Sequence, residues 1–245
     1  MSGHSKWHNI QAHKSVQDAK KSKFFTKVTK ELMLAAKAGG ADTGLNTRLK
    51  SAIAAAKAVN LPKDKIEQAI KKGTGELASE SIDEVLYEGY GPSGVAILIE
   101  AATDNRNRTV AEVRHLLSKG GGAMGESGCV SWMFAKKGIF AFSKEKYTED
   151  QLMEVGLEHG VEEINDEGDI WEVYCAPEDF DALGAAFEAA GIASEDAEVS
   201  MEPSTTVELD EENGQKLLRL VDLLEDNDDV QKVHTNADLP DELLN

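Results

Sequence analysis

A row of lysines near the start of the chain carries the strongest chemical signal. A helix is predicted from about Val16 to Ala38, and at about 100° of rotation per residue one of its sides bears Lys20, Lys23, Lys27, Lys30 and Lys37. This lysine row lies roughly 150° from the apolar stripe of the same helix, so we expect it to face solvent. Solubilising helix faces normally interleave glutamate with lysine, and here only Glu31 lies close. The pattern favours contact with phosphate over a merely solvated face.

A basic stretch with one indole precedes this helix. Its members are His4, Lys6, Trp7, His8 and Lys14. A basic arm of this composition can follow a phosphate backbone and stack its indole on a base. If about five phosphates of a duplex are neutralised, log K should fall with log salt concentration at a slope of about −4 to −5.

The three histidines of this stretch raise zinc binding as an alternative, because imidazole is a common metal ligand. His4, His8 and His13 match none of the known spacings of zinc sites. We expect no metal site here.

Two arginines form a second candidate contact. Arg106 and Arg108 lie between a predicted strand and a helix expected from about Thr109 to Lys119. Arginine forks at a helix N-terminus can grip phosphate or carboxylate. Local pairing with Asp104 or Glu112, with Thr109 as the cap, is the alternative.

No pattern of catalytic residues is found. The chain lacks G-x-S-x-G, H-E-x-x-H and a cysteine with a motif-linked histidine. The glycines from Gly120 to Gly128 follow a helix and precede a strand, which reverses the order that a nucleotide-binding loop requires. The sequence predicts a protein that is not an enzyme and has no cofactor.

Charge is divided unequally along the chain. Residues 1–77 hold 15 Lys+Arg and 6 Asp+Glu, whereas residues 78–245 hold 11 and 39. The net charge of −19 therefore consists of +9 followed by −28. Because an acidic body repels phosphate, a basic segment at one end indicates where a polyanion docks.

The apolar residues indicate no membrane association. No apolar run approaches the roughly 20 residues of a membrane span, and the first 23 residues contain no signal-peptide core. The two cysteines, Cys129 and Cys175, suggest no disulfide framework. The sequence predicts a cytoplasmic protein.

Three helical patterns open the chain and predict a basic N-terminal helical domain over residues 1–77. The first ends at Gly39 and Gly40, the second begins near Asn46 as its N-cap, and the third runs from Pro62 to Gly73.

Short strands and helices follow. Residues 82–134 read as ββαβ, with the last strand from Cys129 to Phe134. Residues 139–201 read as βαββαβ, with a capping box at Thr148 and a second helix from Pro177. A further βαβ pattern ends the chain. The predicted fold class is α+β with three domains, in which an inserted ferredoxin-like domain (136–203) interrupts a discontinuous α/β middle domain (78–135 plus 204–245).

Several motifs, in order, resemble those of the YebC/PmpR family. They are Gly3-His-Ser-Lys-Trp7, Gln17-Asp-Ala-Lys20, Phe24-Phe-Thr-Lys27, Tyr87-Glu-Gly-Tyr-Gly-Pro92, Asp104-Asn-Arg-Asn-Arg-Thr-Val-Ala-Glu-Val-Arg114 and Glu198-Val-Ser-Met201. The resemblance runs nearly end to end. It implies a helical N-terminal domain followed by two α/β domains, one inserted in the other.

The resemblance also implies a cytoplasmic regulator of gene expression. The family is usually described as DNA-binding transcriptional regulators, with a competing description as ribosome-associated translation factors and a mitochondrial branch that activates translation. Carried over by position, the nucleic-acid face comprises Lys6, Lys14, Lys20, Lys21, Lys23 and Lys27, with Arg106 and Arg108 as a second contact.

The residue types allow three functions. Sequence-specific duplex readout normally uses Arg, Asn or Gln, so a helix offering mostly Lys points to backbone contact. The protein is therefore interpreted as a DNA-binding transcriptional regulator, with a translation factor on ribosomal RNA, facing basic ribosomal proteins, as the alternative. An acidic protein-interaction adaptor is the third hypothesis.

Overall fold

The computed structural model describes residues 18–78 and 81–243, which form two compact units. The larger unit comprises the described residues up to Ser131 together with Leu209–Thr235, and the smaller unit comprises Trp132–Glu208 and the described residues from Asn236. The helical N-terminal part therefore lies in one unit with the first sheet. The domain boundaries at residues 77, 135 and 203 stay a prediction.

The elements alternate between helices and short strands after an all-helical start. In chain order they are α1 (Asp18–Gly39), α2 (Thr47–Ala58), α3 (Lys63–Gly73), β1 (Asp83–Tyr90), β2 (Ala96–Thr103), α4 (Arg106–Lys119), β3 (Ala123–Met124), β4 (Phe134–Ser143), α5 (Glu149–Gly156), β5 (Val161–Glu167), β6 (Ile170–Cys175), α6 (Phe180–Ala189), β7 (Asp196–Pro203), β8 (Val207–Glu208), α7 (Glu211–Glu225), β9 (Val230–Thr235) and β10 (Ala237–Asp238).

Helices α2 and α3 both pack on α1 through small and branched apolar side chains. Asn46 caps α2 as predicted, because its side-chain oxygen accepts from the Leu49 amide at 3.0 Å. Its amide group also donates to the carbonyl oxygens of Ala35 and Gly40, both at 2.8 Å. One side chain therefore ends α1 and begins α2. The buried core of the three helices comprises Leu32, Ala35, Ala36, Leu49, Ala52, Ala56, Leu61, Ile66 and Ala69.

The sheet of the larger unit has the strand order β3-β1-β2-β9, and every neighbouring pair is antiparallel. Ala101 of β2 pairs with Val230 of β9, and the Ala102 amide donates to the carbonyl of Asp229 at 2.7 Å. The end of β2 therefore lies beside the start of β9. This pairing brings the segment before α4 next to the segment after α7.

Two local predictions in this unit are wrong. Helix α4 begins at Arg106, and its cap is Asn105, whose side chain accepts from the Arg108 amide at 3.1 Å; Thr109 lies within the helix. The strand expected from Cys129 to Phe134 is a 3-10 turn at Ser131–Met133 followed by β4. The sheet instead takes its third strand from the two residues of β3, which are too few to produce an alternating pattern.

The smaller unit has a sheet of order β5-β6-β4-β7 with antiparallel neighbours, which is the ferredoxin-like order for a βαββαβ unit. The capping box at the start of α5 is present, with Thr148 and Gln151 bonded reciprocally. Helix α6 begins at Phe180, three residues after the predicted Pro177. The buried side chains between sheet and helices include Phe140, Phe142, Leu152, Val173, Leu183 and Phe187. The predicted α+β fold class is confirmed.

Candidate nucleic-acid interface

Lys23, Lys27 and Lys30 of the lysine row face an acidic segment, Glu225–Asp229, which joins α7 to β9 within the larger unit. Lys23 Nζ lies 3.2 Å from Asp226 Oδ1. Lys27 donates to the main-chain carbonyl of Glu225 at 2.7 Å. Burial lowers the pKa of Lys27, and this effect exceeds the opposing influence of the nearby carboxylates. These two ammonium groups are therefore held by the protein itself.

Asp229 is the centre of this contact. Its side chain is 6% exposed, and its carboxylate accepts from Lys30 Nζ at 2.5 Å, from Arg108 Nη2 at 2.8 Å and from Thr109 Oγ1 at 2.7 Å. Burial raises the pKa of Asp229, but the hydrogen bonds from Arg108, Lys30 and Thr109 outweigh it and lower the pKa to about 2. Asp229 thus connects α1 and α4 to the start of β9.

Lys30 and Lys37 extend the contact along α1. Lys30 also donates to the carbonyl of Asp228 at 2.8 Å, and its side chain is only 15% exposed, so the expectation that it faces solvent is wrong. Lys37, two turns further on, donates to the carbonyl of Ile82 at 2.9 Å and lies 3.6 Å from Asp83 Oδ1. Helix periodicity identified the correct side of α1 but not the segments that cover it.

The two arginines of the second predicted contact both have carboxylate partners. Arg106 Nε donates to Asp83 Oδ2 at 3.1 Å, and its side chain is 63% exposed. Arg108 bonds to Asp104 at 2.7 Å in addition to Asp229, and these bonds raise its pKa above the ordinary value. The local pairing with Asp104 that the sequence allowed is present, and Arg106 is the more accessible of the two.

Several predicted site residues cannot be placed beside these groups. His4, Lys6, Trp7, His8 and Lys14 lie outside the described residues. Lys20 and Lys21 lie in α1, but their side chains also lie outside what the structure describes. Their assignment as nucleic-acid contacts stays a prediction.

Exposed lysines on α2 and α3 are cations that the sequence reasoning did not single out. Lys63 pairs with Glu67 at 3.7 Å. The other five have no ion pair within the described part of the chain, and they are Lys50, Lys57, Lys65, Lys71 and Lys72. A seven-residue spacing separates Lys50 from Lys57 and Lys65 from Lys72, so each pair lies on one side of its helix. The seven-residue spacing in the sequence could have identified these lysines as a second basic surface. The longer lysine row of α1 was the stronger pattern, and the two pairs were not singled out beside it.

A cleft of about 900 Å³ lies between α1 and the acidic segment, and Lys72 reaches it from the end of α3. Its lining combines cations with carboxylates, including Lys23, Lys30, Arg108, Asp104, Glu112 and Asp226. Lys72 contributes a cation with no ion pair among the described residues. A phosphate group that enters this cleft would lie near both cationic and carboxylate side chains.

Arg48 is the only arginine of residues 1–77, and carboxylates hold it. Its Nε and Nη2 bond to the two carboxylate oxygens of Glu31 at 2.7 and 3.0 Å, and Nη2 also contacts Glu84. Glu31, noted in the sequence as a neighbour of the lysine row, therefore pairs with α2. No arginine of the described helices α1 to α3 is left to read a base edge.

Glu88, within the Tyr87 to Pro92 motif, has a structural role. Its buried carboxylate accepts from the amides of Gly128, Val130 and Ser131 at 2.6, 2.7 and 2.7 Å. Burial raises its pKa, but these amides outweigh burial and the pKa is lowered. The motif thus holds the glycine-rich loop that follows β3.

Neither a membrane span nor a cluster of metal ligands is found in the described part of the chain. Among residues 18–78 and 81–243, no helix has the length and apolar character needed to cross a bilayer. In the same residues, no three His, Cys, Asp or Glu side chains gather as metal ligands.

Comparison with known proteins places the chain among relatives of the same length. Residues 5–76 match the model of the TACO1/YebC protein N-terminal domain, and residues 82–237 match that of the TACO1/YebC second and third domain. A protein of Solidesulfovibrio magneticus called "probable transcriptional regulatory protein" is 82% identical over the whole of both chains. A protein of the same name from Maridesulfovibrio salexigens is 60% identical over 100% of this chain and 98% of the relative.

A solved structure agrees with the fold. The crystal structure of a conserved hypothetical protein from Aquifex aeolicus superposes with a TM-score of 0.81 at 42% identity, covering 93% of this chain and 94% of that one. The two family models span the regions in which the motifs lie, apart from residues 3 and 4. The chain belongs to the TACO1/YebC family.

Proposed function

We propose that this protein is a transcriptional regulator that binds duplex DNA through its basic N-terminal part. The observation that carries the proposal is the set of five exposed lysines on α2 and α3, Lys50, Lys57, Lys65, Lys71 and Lys72, which have no ion pair within the described chain although the protein has a net charge of −19. The names of the relatives, "probable transcriptional regulatory protein", support the same role.

The chemistry of these lysines favours phosphate as the contacted group. Each ammonium that neutralises a phosphate releases counterions, so five contacts on duplex DNA give a salt slope of about −4 to −5. The acidic remainder of the chain repels the same polyanion. Binding should therefore be oriented, with the N-terminal part toward the nucleic acid.

Arg48 supports a second candidate, a translation factor that binds ribosomal RNA. Arg48, the one arginine of residues 1–77, is paired with Glu31 and Glu84. The N-terminal part therefore has no unpaired arginine for bidentate recognition of guanine. Lysines alone contact the backbone, which both duplex DNA and folded RNA present. In this alternative the acidic body would face basic ribosomal proteins.

We further propose that the protein acts in the cytoplasm and without catalysis. A family of regulators is consistent with a role in binding alone. Incubation of labelled DNA and RNA with the protein and Mg²⁺ should leave both intact.

Fluorescence anisotropy with a labelled duplex of about 30 base pairs and a structured RNA of similar charge tests the proposal. Replacing Lys65 and Lys72 by glutamine should weaken binding roughly tenfold and make the salt slope shallower by about 2. The matched control replaces Lys119 and Lys136, which are exposed lysines outside the basic part and without an ion pair in the described chain.

The outcomes separate the candidates. Equal losses in the two double variants would refute a dedicated basic surface. Binding of the RNA alone would favour the translation factor. Ultraviolet crosslinking in growing cells, followed by sequencing of the bound nucleic acid, then decides between upstream genomic DNA and ribosomal RNA.

A further inference from the structure

The acidic segment Glu225–Asp229 presents to α1 the groups that a phosphate backbone would present. Its carboxylates and main-chain carbonyls accept from Lys23, Lys27 and Lys30 at distances between 2.5 and 3.2 Å. Lys37 is engaged in the same way by residues 81–83. Each lysine of the row with a described side chain therefore already has an oxygen partner.

We propose that residues 225–228 of the acidic segment are an intramolecular competitor of nucleic acid, so that phosphate reaches Lys23 and Lys27 of α1 only when these residues are displaced. The inference rests on the proposed function and adds a form of regulation to it. The exposed lysines of α2 and α3 are accessible from the start, whereas Lys23 and Lys27 of α1 become available by exchange.

The strength of the contacts makes such an exchange feasible. The side chains of Lys23 and Asp226 are 40% and 60% exposed, and ion pairs of this kind stabilise a protein by about 0.2–1 kcal/mol. A polyanion that brings several phosphates to one helix can compete with bonds of this strength. The contact between Lys30 and Asp229 is buried and anchors the segment.

The cleft provides a route for the exchange. It is bordered by α1 on one side and by the acidic segment on the other, with Lys72 at its edge. A phosphate backbone that first binds Lys72 would lie in the same cleft as the carboxylate of Asp226. Replacement of that carboxylate by phosphate on Lys23 is then a local step.

The direct test replaces Asp226 and Asp228 by asparagine. Both are exposed, so the fold should persist, and thermal melting checks this. Because any lost carboxylate reduces general repulsion, the matched control replaces Glu154 and Glu158 by glutamine. These two exposed residues have no ion pair in the described chain, and the control removes the same net charge.

Affinities for the duplex and the structured RNA are measured by anisotropy between 50 and 200 mM salt, concentrations over which phosphate contacts of about this number change affinity strongly. The Asp226/Asp228 variant should bind about threefold to tenfold more tightly than the control variant. Its salt slope should also be steeper, since fewer internal ion pairs are lost on binding. Equal affinities of the two variants would overturn the proposal.

Hydrogen exchange of the unaltered protein supplies a second readout. Saturating duplex should speed exchange of the amides of residues 225–228, because these residues leave α1 while Asp229 stays anchored to Lys30. Unchanged or slower exchange on binding would overturn the proposal even if affinities rise. If no nucleic acid binds to any form of the protein, the proposed function itself fails, which is a different result.

Discussion

Replacing Asp229 by asparagine should destabilise the larger unit by about 2 kcal/mol. The variant keeps the shape of the side chain but removes the negative charge of the carboxylate that accepts hydrogen bonds from Lys30, Arg108 and Thr109. In the folded protein the pKa of Asp229 is lowered from 3.8 to about 2. A difference of nearly two pKa units corresponds to about 2 kcal/mol of preference for the charged form.

The same numbers predict a pH dependence with a definite sign. Because the pKa of Asp229 is lower in the folded state, the unfolded state binds a proton first as the pH falls. The stabilisation is therefore fully present above about pH 4 and is lost as the pH approaches 2. The difference in stability between the wild type and Asp229→Asn should shrink over this range.

Urea unfolding, followed by hydrogen exchange of peptides from β2 and β9, measures the stability of the larger unit separately. The control is Asp226→Asn, which removes an exposed pair and should cost less than about 1 kcal/mol. A loss below about 0.5 kcal/mol for Asp229→Asn near pH 7 would refute the reasoning. A stability difference that persists at low pH would refute the assigned pKa.

Two further substitutions test close packing and a buried carboxylate in the larger unit. Gly73→Ala should lower its stability by about 2 kcal/mol, because the added Cβ would overlap the Met33 carbonyl oxygen and lie 2.8 Å from Ala36 Cβ. A gain in urea stability, as expected for alanine in an open helix, would contradict this packing. Glu88→Gln should cost about 2 kcal/mol and speed amide exchange in residues 128–131, since an NH2 group replaces an acceptor oxygen. Unaltered exchange there would argue against the role of Glu88.

Much of the local structure could be predicted from the sequence because it depends on neighbouring residues. The cap of α2 at Asn46 and the capping box of α5 at Thr148 are bonds between residues three positions apart. Hydrophobic periodicity likewise predicted the helical start and the βαββαβ order of the smaller unit. Where such signals were short, as in β3, the prediction failed.

The surroundings of the candidate site depended on contacts between distant parts of the chain. Lys27 meets Glu225 across 198 positions, and Arg108 meets Asp229 across 121. Periodicity in α1 shows which side turns away from its own core, but it carries no information about a second segment that covers that side. The sequence by itself determined that the N-terminal part is helical and cationic. Only the tertiary structure decided which cations are paired, because the alignment of β2 with β9 brings Asp229 to Arg108, and the packing of α1 brings Lys30 to the same carboxylate.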